Sequence, residues 1–331
     1  MGAISLVMAA YTQITDQQLR SLLSHYELGE LLSFQAISAG IENSNYFVFT
    51  SQGQYVLTLF EHHNADEVQA FIQLARHLGS EGINVPAPLV NEQDEWLHTL
   101  QQRPAIICQR FVGKHPHTLN VQHCAEIGEG LAKLHIASQT LTPRRNDERG
   151  YAWWCQASSQ LISTLPEDQQ TVVRDELAYQ TEHRAQWLAL PHGWIHADLF
   201  HDNALFIEQE DELKLSAIID LYNACDGAWL YDLAIVANDW CALSSGFTAE
   251  EQHSAALDQL RVEALLQAYG RVRPFAKNEL LAWPLVLRGA ALRFLLSRLL
   301  ASREAHARGE HLPANKQPNE YYQRLLYHRG H

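Results

Sequence analysis

Gly193-Trp194-Ile195-His196-Ala197-Asp198-Leu199-Phe200-His201-Asp202-Asn203-Ala204-Leu205-Phe206-Ile207, with Leu215-Ser216-Ala217-Ile218-Ile219-Asp220 downstream, is the stretch from which the rest of the chain can be organised. A short apolar run delivers a His and an Asp into a polar loop. An Asn follows five residues after that Asp, and a second apolar run ends in another Asp. Phosphoryl transfer from a magnesium nucleotide needs these groups: one carboxylate to orient and deprotonate an attacking hydroxyl, an amide and a second carboxylate to hold the cation that bridges the phosphates. Mg²⁺ prefers hard oxygen ligands and usually takes only one or two carboxylates beside phosphate and water, so Asn203 and Asp220 suffice in kind. The bland alternative is a β-hairpin with a polar loop. The β-type runs on both sides, and an Asp where the metal ligand is needed, favour the chemical reading.

Length and composition frame that reading. At 331 residues the chain exceeds the usual size of one core, so two lobes are expected. A hydrophobic content of 47% supports a packed globule. The formal charge of −14 argues against a nucleic-acid or anionic-membrane partner, but not against a nucleotide whose phosphates a metal neutralises. Five widely spaced cysteines with no Cys-x-x-Cys read as reduced, mostly buried thiols of a cytosolic protein. The histidines form no His-Glu-x-x-His or tight Cys/His cluster, and His62-His63 reads as a polar turn. The first residues lack the basic and apolar regions of a signal peptide, Leu6 breaks the myristoylation pattern at Gly2, and no apolar run reaches membrane-spanning length. A soluble, cytoplasmic protein is expected.

Taken in order, Thr15 and Gln18 have capping-box spacing ahead of Leu19, Leu22 and Leu23, so a short helix opens the chain. Residues 34–37, 46–50 and 55–60 read as strands, joined by a Gly-containing turn at 38–45 and a second turn at 51–54. Asn64 and Glu67 form another capping box before the stripe Val68, Phe71, Ile72, Ala75 and Leu78. Strands at 96–100 and 104–108 complete a sheet of about five strands plus one helix, residues 1–110. Residues 111–116 read as a connector. Helical periodicity dominates 111–331, at about 120–138, 167–189, 228–243, 249–269 and 277–303, and strands interrupt it only at 193–220.

This order, an α+β chain with a first-lobe antiparallel sheet and a mostly helical second lobe carrying the loop, resembles the two-lobed protein-kinase-like fold. Leu131-Ala132-Lys133-Leu134-His135 and Tyr231-Asp232-Leu233-Ala234 make it similar to the aminoglycoside phosphotransferase group of small-molecule kinases. Residues 40–46, His196-Ala197-Asp198-Leu199-Phe200 and residues 288–299 together look like the bacterial homoserine kinases of that fold, over about 11–327. The resemblance implies ATP and Mg²⁺, Asp198 as catalytic base, and Asn203 and Asp220 as metal ligands. His196 is then a loop brace or a proton-transfer group, and Asp232 an anchor of the loop. Gly40, Asn43, Asn45, Thr58 and Gln109 become candidates for nucleotide contact, with the nucleotide against the connector.

One departure stands out. Kinases of this fold usually carry a third-strand Lys that pairs the phosphates. Here Thr58 holds that place, and residues 1–107 contain no Lys at all. Phosphate charge would then fall to Mg²⁺ and the backbone amides of the 40–45 turn, and a Lys introduced at 58 would need an acidic partner such as Glu67. A homoserine acceptor is a zwitterion, so it needs a cation for its carboxylate (Arg288 or Arg293) and an acceptor for its ammonium (Asp226, Asn223 or Tyr222). Other small alcohols (choline, methylthioribose, an aminoglycoside) and a nucleotide-binding pseudokinase are the competing readings.

Overall fold

The structure, a computed structural model, describes residues 12–37, 43–210, 212–243, 255–313 and 316–330. By its internal contacts the chain divides into two compact units, residues 1–112 with 219–222, and residues 113–218 with 223–331.

In the first unit, α1 (Asp16–Leu23) precedes β1 (Leu31–Ala36), β2 (Asn43–Thr50), β3 (Gln54–Phe60), α2 (Ala65–Ser80), β4 (His98–Leu100) and β5 (Arg103–Gln109). The strands form one antiparallel sheet in the order β1-β2-β3-β5-β4. Both helices begin as their sequences require. Thr15 accepts the Gln18 amide and Asn64 the Glu67 amide, and each third residue reaches back to close a capping box.

The two-residue period of the strands sorts side chains onto two faces. Leu57, Leu59, Ala105 and Ile107 pack with Leu19, Leu22 and Leu23 of α1. Phe60, Ile106 and Cys108 pack with Val68 and Ile72 of α2. Thr58, opposite Ile106 in the ladder, has the parity of this second face.

The second unit is built on helices: α3 (Val121–Ala137), α4 (Tyr151–Leu161), α5 (Glu167–Glu182), α6 (Arg184–Leu188), α7 (Trp229–Trp240), α8 (Gln259–Val272), α9 (Lys277–Ala307) and α10 (Pro318–Arg329). Two hairpin-like pairs interrupt them. β6 (His192–Ile195) pairs with β9 (Cys225–Ala228), and β7 (Ala204–Gln209) with β8 (Glu212–Ile218), both antiparallel. The helices α4 and α10 were not anticipated, because their short apolar faces are interrupted by polar residues. The expected helix start near 249 lies outside the described residues, and α8 begins at Gln259. Helices α3 and α8 approach closely at Gly128, where a Cβ would stand 2.5 Å from the Leu265 carbonyl oxygen.

The 31-residue α9 corrects the expectation that no segment is long and apolar enough to cross a membrane: by length and composition this helix is. It is a core helix instead, with 67% of its apolar window buried. Ion pairs of Arg288 with Glu176 and Arg298 with Glu320 are distributed along it.

Candidate active site

In the second unit, β6 feeds the loop 196–203 and β7 leaves it. The loop has no ladder of its own, and its shape is imposed from α7. Asp232, fully buried, accepts the amide of His196 at 2.7 Å and that of Ala197 at 2.9 Å, one on each carboxylate oxygen. Ala197 sits at φ 63°, a left-handed conformation a non-glycine residue adopts only when its surroundings hold it there.

Behind Asp232, buried His135 contacts it through Nε2 at 3.0 Å and meets the Tyr269 hydroxyl through Nδ1 at 2.8 Å. Burial pushes the His135 ring below its ordinary pKa, against the pull of Asp232. Burial would raise the Asp232 carboxyl, but the hydrogen bond and charge of His135 and the His196 amide outweigh it and hold it below its ordinary value. The two buried side chains thus hold one another in place behind the loop.

The rest of the loop is tied in the same way. The amide of His201 and its Nδ1 both lie 2.8 Å from Asp239 Oδ2, and Trp240 Nε1 donates to the Leu199 carbonyl at 3.0 Å. Burial opposes protonation of His201, yet its hydrogen bond to Asp239 and that carboxylate's charge carry it up to about 9. Within the loop, Asn203 Nδ2 donates to the Asp198 carbonyl at 2.8 Å. His196, with no exposed surface, accepts the Asp198 amide on Nδ1 at 3.3 Å. That contact ties the His196 ring to the loop that carries it.

The Asp198 carboxylate is 26% exposed. Arg293 Nη1 lies 3.8 Å and Asn223 Nδ2 3.5 Å from it. A carboxylate so placed can accept a hydrogen bond from an incoming hydroxyl. Arg293 is itself buried, 3% exposed, so its charge acts at low screening.

In the first unit, Asp220 follows β8 at φ 62° and lines a pocket with Phe60, Phe71, Ile106 and Tyr222. Each unit offers a hard oxygen donor of the kind a divalent cation takes: the Asn203 side-chain amide, whose nitrogen donates to the Asp198 carbonyl, in the second unit, and the Asp220 carboxylate in the first. Among the described residues there is no cluster of three His, Cys, Asp or Glu that could hold a metal. A Mg²⁺ site completed by phosphate and water needs no such cage.

Several expected contacts are reassigned. Thr58 is buried, donates to Asn45 Oδ1 at 2.7 Å and shares a hydrogen bond with the Tyr222 phenol. Burial raises the pKa of that phenol, and Tyr222 packs edge-on to Phe60 and Phe71. Thr58 and Asn45 are thereby internal partners, and the Tyr222 ring packs within the first unit, partly buried. Asn43 is buried at the start of β2, Gln109 is exposed at the end of β5 opposite Tyr55, and Gly40 lies outside the described residues.

Arg288 is not open to a substrate carboxylate. It grips buried Glu176 with contacts of 2.6 and 3.1 Å and stacks on Tyr179. Asp226 is engaged by Arg144 at 3.4 Å and His192 at 3.1 Å, so it is no ready ammonium site. Of the two arginines only Arg293 reaches Asp198, and Asn223 stands with it. The segment 142–150 was missed altogether: Arg144-Arg145-Asn146-Asp147-Glu148-Arg149 looks like a solvated charged loop and matches no motif.

The model of the phosphotransferase enzyme family matches residues 33–275. The chain belongs to that family. It is 38% identical over 299 residues to the homoserine kinase of Paraburkholderia phytofirmans, covering 88% of each chain. It is 40% identical over 326 residues to that of Afipia carboxidovorans, covering 98% of this chain and 95% of the other. Among solved structures, amicoumacin kinase hAmiN in complex with AMP-PNP, Ca²⁺ and Ami superposes with a TM-score of 0.69 at 15% identity, over 96% of this chain and 94% of that one. The likeness extends the phosphotransferase fold to both units.

Proposed function

We propose that this family member transfers the γ-phosphoryl group of ATP to the side-chain hydroxyl of L-homoserine, forming O-phospho-L-homoserine, the phosphorylation step on the route to threonine. The observation that carries the reading is the match to relatives named homoserine kinase over 88–98% of the chain. In this reading the 1–110 lobe binds nucleotide and the 111–331 lobe supplies the chemistry. Asp198 accepts the proton of the attacking hydroxyl and fixes its direction. Arg293 receives the acceptor's carboxylate, with Asn223 beside it. Asn203 and Asp220 would hold Mg²⁺, which when bound offsets charge on the phosphates. Mg²⁺ is preferred to Ca²⁺ here because two small hard donors plus phosphate and water suit its octahedral demand. The 43–45 segment carries the remaining contacts to phosphate through backbone amides. The reaction belongs in the cytosol, in keeping with five free cysteines.

A coupled assay of ADP release over L-homoserine, choline, methylthioribose and an aminoglycoside, with Mg²⁺ or Ca²⁺, tests the proposal. Homoserine-dependent ADP release with O-phosphohomoserine as product is expected. Turnover with one of the other alcohols instead, or nucleotide binding without turnover, would replace it.

A further inference from the structure

The 142–150 segment is built into the second unit more firmly than its composition suggests. The Arg145 carbonyl accepts the Asp226 amide of β9 at 2.7 Å, and β9 is the ladder partner of the strand that leads into the Asp198 loop. The Arg149 carbonyl accepts Trp154 Nε1 of α4 at 2.8 Å. Between these two fixings Asp147 accepts the Arg149 amide at 2.9 Å, and a Cβ on Gly150 would stand only 2.9 Å from the other carboxylate oxygen. Asp147 is thus held in one orientation and partly buried.

Its electrostatic surroundings matter more. Burial pushes the Asp147 carboxyl above its ordinary pKa, and the Arg149 amide with the charges of Arg293, Arg145 and Arg149 brings it only part of the way back. Arg293 is the same guanidinium that lies 3.8 Å from Asp198. The buried Cys225 and Tyr231 side chains feel both Asp147 and Arg293, which places the two charges in one neighbourhood. The charge of Arg293 thus acts on Asp147 as well as standing 3.8 Å from Asp198.

An α-amino acid carries its ammonium and carboxylate on a single carbon, so any receptor for it must set an anion and a cation side by side. Asp226, engaged by Arg144 and His192, does not offer the anion. We infer that Asp147 is a specificity-determining residue whose carboxylate receives the α-ammonium of the acceptor, beside Arg293 at the acceptor's carboxylate and Asp198 at its hydroxyl. This inference rests on the proposed homoserine kinase reading and gives its site a second charged wall.

The test compares L-homoserine with 4-hydroxybutyrate, which keeps the hydroxyl and carboxylate but lacks the amino group, as substrate or as competitive inhibitor. For Asp147→Asn, kcat/KM for homoserine should fall on the order of 10²-fold, mainly through KM, because a buried charged partner is lost. The KM for ATP should stay within a few-fold, and 4-hydroxybutyrate should be handled about as in wild type, so the preference for the amino group collapses. Asp147→Glu, which keeps the charge, should restore part of that preference, and it carries the test if the Asn variant does not fold. Either folded variant decides: a wild-type preference for homoserine in Asp147→Asn, or no recovery of preference in Asp147→Glu relative to Asp147→Ser, overturns the inference alone. A wild-type protein inactive on homoserine removes the function proposal, and the inference with it.

Discussion

The loop at 196–203 and the third strand of the first unit manage their polar groups in opposite ways. In the loop the anchors are carboxylates receiving backbone amides, Asp232 from His196 and Ala197, Asp239 from His201. In β3 the polar side chain is a neutral hydroxyl, bonded to the Asn45 amide and a phenol. Hydrogen bonds to charged groups are roughly twice as strong as neutral ones. The difference follows from what the backbone lacks. A strand is fixed by its ladder, as β3 is by β2 and β5 on its two sides. The loop has no ladder and holds Ala197 at a left-handed φ, which costs about 1–3 kcal/mol, so its shape must be imposed by side chains. Buried charge in this chain therefore marks places where backbone is forced as well as places where chemistry happens.

The largest effect separates those two uses of charge. Asp198→Asn should lower kcat by about 10² to 10⁴, the usual loss for a positioned base, while nucleotide affinity stays within a few-fold. Retention of most turnover in that variant would falsify the assignment of Asp198. Asp232→Ala should act through structure: it strands two buried amides and removes the partner of His135, and an orphaned buried donor costs about 1–3 kcal/mol of stability. Denaturant unfolding measures this, and a loss below about 1 kcal/mol would show that the loop is held by something other than the Asp232 bonds.

The contrast also explains what could be read from the sequence. The capping boxes at Thr15 and Asn64, the strands and the loop at 196–203 were legible because each is specified by neighbours in sequence. Asp232 could be proposed as an anchor because Tyr231-Asp232-Leu233-Ala234 resembles a helical landmark of the phosphotransferase group. Partners of long side chains were not legible. Nothing local distinguishes Arg288, consumed by Glu176, from Arg293, which reaches Asp198, since both sit in the same apolar helix and the angle around that helix decides. Asp147 was invisible for a different reason. Its segment has the composition of a surface loop, and only the tertiary bonds to Asp226 and Trp154 turn it inward. The packing of the Tyr222 ring on the α2 side of the first unit was equally hidden, because adjacency to the metal-ligand candidate drew attention to its hydroxyl.

A smaller effect tests the charged side of the comparison by pH. His201 folds with its pKa raised to about 9, above the ~6.5 of an unfolded histidine. Its stabilising contribution is thus fully present below about pH 6.5 and is lost as pH rises through about 9. The difference in melting temperature between wild type and His201→Gln should be greatest at pH 6 and shrink steadily toward pH 9.5. It should be modest throughout, because the ring is 37% exposed and solvent screens the pair. A difference that does not change over this range would mean that the His201–Asp239 contact carries no net charge.

The smallest effect is expected at Thr58, where the comparison predicts that no charge is at stake. Thr58→Val keeps the shape and removes the hydroxyl, leaving Asn45 Oδ1 without its donor and the Tyr222 phenol without its partner. Nucleotide affinity should change by less than about 1 kcal/mol, since at most one neutral hydrogen bond is involved. Stability of the first unit should fall by about 1–3 kcal/mol, the usual consequence of orphaning a buried polar group. Thr58→Lys sharpens the point. The partner such a lysine would need, Glu67, is fixed by its own capping box, its carboxylate on the Asn64 amide at 2.8 Å, and the hydroxyl's place is already shared with Asn45 and Tyr222. The added ammonium should therefore destabilise the fold without tightening ATP. Isothermal titration with Mg-ATP beside a melting curve distinguishes the outcomes. Tighter nucleotide binding by Thr58→Lys at unchanged stability would mean that β3 still has room for the cation, and that the neutral arrangement around Thr58 is incidental to how this enzyme meets phosphate.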